Sequence, residues 1–164
     1  NHSCISIAYS SFGEIKAAAV YNPFVGELFT AEKGKGAYLN GERIYSDNCS
    51  MKDGLVLFGT APYNSETWDE SFRLIKKAFY NSLDIRRQGS AELDLCSVAA
   101  GRAGLYFETA VSLWDYAAGW LIASEAGASV TRLDGSPMPF DLSKSTILAG
   151  GKKAREEFIE LSRK

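Results

Sequence analysis

The chain has 164 residues, of which 46% are hydrophobic and 23% charged, with a formal net charge of −2. That is enough apolar material for one good core, and the balance is globular rather than disordered. No basic stripe could neutralise a nucleic-acid backbone, no apolar run approaches membrane-spanning length, and no charged-then-apolar leader reads as a signal peptide, so neither nucleic acid nor a membrane is an expected partner.

In chain order, "CISIAYS" (residues 4–10) alternates and puts Ile5, Ile7 and Tyr9 on one face of a strand. Phe12 to Glu14 is a turn signal. "IKAAAVYNP" and "GELFTAEKG" are the next strands, with Asn22-Pro23 and Gly26 predicting a hairpin between them. "GKGAYLNGERI" adds a short strand and an Asn40-Gly41 turn, the strongest short hairpin signal. These residues predict an antiparallel meander.

Near residue 55 the pattern changes. "LVLFGTA" is a continuous apolar run, typical of a strand buried on both faces. Ser65 opens a helix with Glu66, Asp69 and Glu70 in its first turns, a stripe of Trp68, Phe72, Ile75 and Phe79, and Lys76 and Lys77 near its end. "SLDIRR" is a strand, Gly89 turns the chain, and Ser90 caps a helix to about Gly101. "AGLYFET" is a strand and residues 113–126 a helix. "ASVTRL" is a strand ended by the turn Asp134-Gly135-Ser136-Pro137. "STILAGG" is the last strand, and a final helix from about Lys152 carries Ala154, Phe158 and Leu161 on its stripe. Strands alternating with helices imply an α/β layered sandwich. Residues 1–54 are the remainder of an antiparallel-sheet domain. Residues 55–164 form an α/β domain with a mixed, largely parallel sheet flanked by helices.

The residue types narrow the chemistry. The single histidine, His2, is next to the terminus, so neither a Ser-His-Asp site nor a His-rich zinc site is expected. Cys4, Cys49 and Cys96 have no metal-type spacing and read as reduced thiols of a cytoplasmic protein. Carboxylates, hydroxyls, backbone amides and oxygen-loving metals such as Mg²⁺ remain. Ser112 and Asp115 form a capping box with Asp in place of Glu, and capping alone would account for Asp115. Glu108, however, ends the preceding strand, which puts two carboxylates at the edge of a sheet where open α/β folds bind ligands. At the other strand-to-helix junction, Gly89, Ser90 and Ala91 form either an ordinary capped turn or a helix N-terminus suited to a phosphate or hydroxyl. Glu92 and Asp94 in that helix's first turn are accounted for by the dipole. "GKGAYLNG" lacks dinucleotide spacing and reads as turns, "AGGKK" lacks the full phosphate-loop pattern, "LDGS" reads as a strand-ending turn, and Glu125, before the helix stop at Gly127, reads as structural or surface.

Taken together, these stretches resemble the inositol monophosphatase family. "LWDYAAGWLIASEAG" (113–127) is similar to the family's C-terminal signature, W-D-x-A-A-G-x-L-I-x-x-E-A-G. "RRQGSAELDLCSVAAGRAGLYFE" resembles the segment before it. "SIAYSSFGEIKAAAVYNPFVGELFTAEKGKGAYLNGERI" resembles the strands that follow the family's first metal motif. The resemblance covers essentially the whole chain, in order. It implies a layered α and β fold and a Mg²⁺-dependent, lithium-sensitive phosphomonoesterase acting on an inositol phosphate or related sugar phosphate, in a family whose members are often homodimers. By resemblance, Asp115 is a metal ligand facing the substrate and the catalytic residue of this segment. Glu108 contacts a substrate hydroxyl, Gly89, Ser90 and Ala91 line the pocket, and Trp114 packs the helix start and sets the aspartate's direction. A metal-bound water attacks the phosphorus in line, without a covalent protein nucleophile.

Two departures stand out. The family's first motif, Asp-Pro-x-Asp-Gly-Thr with an upstream glutamate, supplies most metal ligands and is not among these residues. Ala128 stands where many members carry a second glycine. The sequence opens on Asn1, without Met, where that motif should have ended. The expectation is a C-terminal fragment, inactive alone, of a parent phosphatase. The alternative is a non-catalytic binding or scaffold module that keeps the fold without the metal motif.

Overall fold

The computed structural model describes residues 3–163, so Asn1 and His2 lie outside the described residues. Strands β1 (Ile5–Ser11), β2 (Glu14–Asn22), β3 (Glu27–Glu32), β4 (Gly36–Leu39) and β5 (Glu42–Ile44) form an antiparallel meander in chain order. Two of its turns rest on paired left-handed residues: Phe12 and Gly13 at φ 53° and 72°, Asn40 and Gly41 at φ 49° and 84°. Such pairs match the twist of the strands they join. Ile15, Ala18, Val20, Phe29 and Ala31 point inward and are buried. Ile5, Ile7 and Tyr9 do share a face, but on an edge strand, and that face is exposed together with Tyr21 and Leu28.

The second sheet contains β6 (Leu55–Phe58), β7 (Asp84–Arg86), β8 (Leu105–Val111), β9 (Ser129–Thr131) and β10 (Ser145–Gly150), in the order β7-β6-β8-β10-β9. Strand β6 is parallel to β7 and β8, whereas β10 is antiparallel to β8 and β9. The parallel part is fed by helical crossovers through α1 (Trp68–Asn81) and α2 (Ala91–Ala99). Strand β10 instead follows β9 through a loop, which reverses its direction. Helices α3 (Leu113–Glu125) and α4 (Lys152–Arg163) complete the fold.

Helices α1 and α4 cover one face of the second sheet through Leu74, Ala78, Phe107, Leu148, Ala154 and Phe158. Helices α2 and α3 lie between the two sheets, where Val20 and Phe29 of the first and Leu57, Tyr106 and Ile147 of the second share one apolar cluster with Ile122. We propose that the boundary expected after residue 54 separates sheets rather than cores.

The stripe expected on α1 needs correction. Ser71, Leu74 and Ala78 are buried, while Trp68, Phe72 and Phe79 are exposed. The small residues let α1 lie close to the sheet, where the Ser71 and Thr109 hydroxyls meet at 2.6 Å. Glu92 also differs from expectation: it is buried, and its carboxylate accepts the N–H groups of Ala118 and Gly119 on α3. Gly119 permits this close crossing, because a Cβ there would stand 2.6 Å from the Leu95 Cβ and 2.7 Å from Glu92 Oε2. At the far end of α3, Glu125 accepts the Gly34 and Gly36 N–H groups at 2.7 and 2.8 Å, pinning the β3–β4 turn. That is the structural role expected of it.

The crossing predicts that Gly119→Ala lowers unfolding free energy by about 1–3 kcal/mol through overpacking. The Glu125 clamp predicts a loss of about 1–2 kcal/mol for Glu125→Ala, which strands two turn amides. Urea denaturation midpoints check both, and an unchanged midpoint for Gly119→Ala would contradict the close approach.

Candidate active site

The segment after β6, strand β8 and the starts of α2 and α3 surround a cavity of about 410 Å³. Gly89, Ser90, Ala91, Glu108 and Asp115 all line it, so the structure brings together every residue singled out from the sequence. Gly89 takes φ 87°, a left-handed conformation that admits the sharp turn into α2. The Ser90 hydroxyl then accepts the Leu93 N–H at 3.5 Å and caps that helix.

Asp115 sits in the first turn of α3. Its Oδ2 accepts the Ser112 N–H at 2.9 Å, the carboxylate's half of the expected capping box. This bond, rather than Trp114, sets its direction. Trp114 is 65% exposed, which corrects the packing role implied for it.

Glu108 is held more tightly. The Tyr106 hydroxyl donates to Oε2 at 2.7 Å, and the Ala61 N–H donates to Oε1 at 3.0 Å. Ala61 takes φ 41°, uncommon for a residue with a side chain. Gly59 leaves space for this carboxyl, since a Cβ there would lie 1.9 Å from Oε2. Burial raises the Glu108 pKa, its two hydrogen bonds oppose the rise, and the Asp115 charge adds to it. Strand β8 runs on to Val111, so Glu108 lies within the strand rather than at its end.

Three further residues of the cavity were not singled out from the sequence. Asp94 is 1% exposed, and among the described residues its Oδ1 has no hydrogen-bond partner. Burial pushes its pKa up to about 8, the Glu108 charge adds to this, and Arg87 opposes it. The dipole reading of Asp94 is therefore incomplete. Its spacing of one helical turn from Ser90 was the available signal. Arg87 precedes the Gly89 turn and donates through Nε to Thr60 Oγ1 at 3.1 Å. Lys144 comes from the loop between β9 and β10 and reaches the cavity only through tertiary folding.

The cavity thus combines hard oxygen donors, two cations and two helix N-termini. Oxygen donors suit Mg²⁺, while cations and helix N-termini suit a phosphate. Among the described residues, however, no group of three or more His, Cys, Asp or Glu could hold a metal ion. Asp115 alone would be an incomplete ligand set.

Two sheets with intervening helices, and a cavity lined by carboxylates and cations at two strand-to-helix junctions, define a layered α/β protein. The chain belongs to the inositol monophosphatase family, whose family model matches residues 1–164. It is 44% identical over 135 residues to Nus factor SuhB of Vibrio cholerae, covering 82% of this chain and 51% of that protein. Nus factor SuhB of Escherichia coli K12 is 40% identical over the same shares. The chain therefore spans about half the length of these curated relatives. The extragenic suppressor protein suhB of Bartonella henselae has a structure similar to this one at a TM-score of 0.91 and 34% identity, over 98% of this chain and 61% of that one. Inositol monophosphatase from Anabaena (Nostoc) sp. PCC 7120 follows at 0.89 and 32%, over 96% and 64%.

Burial raises Glu92 as well as Asp94 to a pKa of about 8, from ordinary values of 4.5 and 3.8. Both groups hold their protons more tightly when folded. Their contribution to stability is full below the unfolded values, falls as pH rises, and levels off above about 8. Thermal unfolding from roughly pH 5 to pH 8 should show this fall. The double variant Glu92→Ala, Asp94→Ala should flatten it, whatever its absolute midpoint. An identical slope in that variant would contradict the burial effect.

Proposed function

We propose that the protein carrying this chain is a Mg²⁺-dependent phosphomonoesterase acting on an inositol phosphate or a related sugar phosphate. The observation that supports this most is the placing of Asp115 and Glu108 in one cavity between two helix N-termini, in a chain of this family. Asp115 would hold the metal, with ligands from outside these residues completing the set. When bound, the metal supplies an activated water and offsets charge on the phosphate.

This chain's own residues do the rest. The Ser112 N–H holds Asp115 in position. Arg87, Lys144 and the N-terminus of α2 at Gly89, Ser90 and Ala91 attract the phosphate. Glu108, fixed by Tyr106 and Ala61, receives a hydroxyl of the leaving alcohol. The 164 residues alone supply too few metal ligands to turn over an ester. Free Cys4, Cys49 and Cys96 suit a reducing, cytoplasmic setting, and a homodimer is part of the same family-based reading. No helix among the described residues is long and apolar enough to cross a membrane.

A second reading, a non-catalytic binding module, draws on the incomplete ligand set and on the name Nus factor borne by the curated relatives. That name describes a role the cavity does not account for.

Hydrolysis of myo-inositol 1-phosphate by the full natural chain, titrated with Mg²⁺, separates the readings. Asp115→Asn should lower kcat/KM by roughly a hundredfold or more at limiting Mg²⁺, the scale on which charged transition-state contacts register. Full activity in that variant would remove Asp115 from the metal site. No hydrolysis by the natural chain would favour the binding module. The 164-residue polypeptide should show no turnover above background.

A further inference from the structure

The cavity floor contains a group that the proposed reaction does not use. Asp94, in the first turn of α2, is 1% exposed, lines the cavity, and has an Oδ1 with no hydrogen-bond partner among the described residues. Leaving a buried polar atom unsatisfied costs about 1–3 kcal/mol. Native proteins accept that cost where a ligand completes the bond. The acid shares its surroundings with Glu108, whose charge acts on it directly, and with the Arg87 guanidinium. Its carboxyl therefore shares the cavity with the group assigned to a substrate hydroxyl.

We propose that Asp94 is a second hydroxyl-recognition point beside Glu108, so that the site selects phosphate esters of polyhydroxylated alcohols over esters of simple ones. This inference rests on the phosphatase reading and adds a specificity-determining residue to it. Glu108 has both oxygens engaged by Tyr106 and Ala61, so it can accept from only a limited set of directions. Among the described residues, Asp94 Oδ1 is free of such partners. With its pKa raised to about 8, Asp94 keeps its proton at neutral pH and can donate as well as accept. An alcohol carrying several hydroxyls would satisfy both carboxyls at once. An alcohol without them would leave Asp94 orphaned.

The test uses the full natural chain with Asp94→Ala and Asp94→Asn, and compares myo-inositol 1-phosphate with p-nitrophenyl phosphate. Asp94→Ala should lower kcat/KM for the inositol ester at least roughly tenfold more than for the aryl ester, chiefly through KM. Asp94→Asn, which keeps a donor and an acceptor, should recover most of that selectivity. Free myo-inositol should inhibit Asp94→Ala more weakly than the parent. Because the deleted group is unsatisfied in the free protein, the thermal midpoint of Asp94→Ala should match or exceed that of the parent. Equal losses on both esters, or no loss on either, would overturn the inference while leaving the phosphatase reading intact. An Asp94→Ala chain that fails to fold would show that Asp94 has a structural partner, and would overturn it too. If the parent hydrolyses neither ester, both readings fall together.

Discussion

The close crossing of α2 and α3 at Gly119 is the constraint on which the rest of the molecule depends. With no side chain at that position, α3 approaches Leu95 and Glu92 directly, and Glu92 ties the helices together through two amides of α3. The pair fills the space between the sheets and shares its apolar cluster with both. The crossing also sets the two capped helix starts near one another. It brings the Gly89-Ser90-Ala91 turn and the Ser112–Asp115 cap to one cavity, although 24 residues lie between Ser90 and Asp115 along the chain. At the other end, Glu125 ties α3 to the meander. The "WDYAAGWLIASEAG" stretch can therefore be understood residue by residue as a site acid, a crossing point, a clamp and a helix stop.

The same region concentrates acids that would be more comfortable in water. Glu92, Asp94 and Glu108 are all pushed upward by burial, and the Asp115 charge adds to the rise at Glu108. A fold selected only for stability would have little reason to gather them. Glu92 repays part of the desolvation through its bonds to α3, and Glu108 through Tyr106 and Ala61. Asp94 Oδ1 has no such return among the described residues. Buried acids with shifted pKa values cluster at functional sites, which is why this region carries the proposed one.

Local chemistry was legible in the sequence, and tertiary consequences less so. The Asn40-Gly41 turn, the Ser90 and Ser112 caps and the helix stop at Gly127 each depend on neighbours a few residues away, and they form where expected. That Glu108 and Asp115 meet in one cavity followed from the order of strand, loop and helix, although β8 runs past Glu108 to Val111. Helix α1 was visible, but aromatic weight drew attention to Trp68, Phe72 and Phe79, while packing against the sheet chose the smaller Ser71 and Ala78. Asp94 looked like a dipole partner because its burial depends on β8 and on the turn after β6, both distant in sequence. Lys144 lies in a loop, where no periodicity could reveal its direction. Trp114 shows the opposite failure, since a large apolar residue beside the site acid proved to be mostly exposed.

The central claim is that Asp115 touches the metal while Glu108 serves the alcohol. A crystal structure of the full natural chain with Mn²⁺ and inorganic phosphate, phased to show anomalous scattering, tests it directly. The account predicts an Mn²⁺ peak bonded to an Asp115 carboxylate oxygen, with phosphate between it and the start of α2, and with Glu108 still held by Tyr106 and Ala61 outside the coordination sphere. Metal bound to Glu108, or no metal in contact with Asp115, would contradict it.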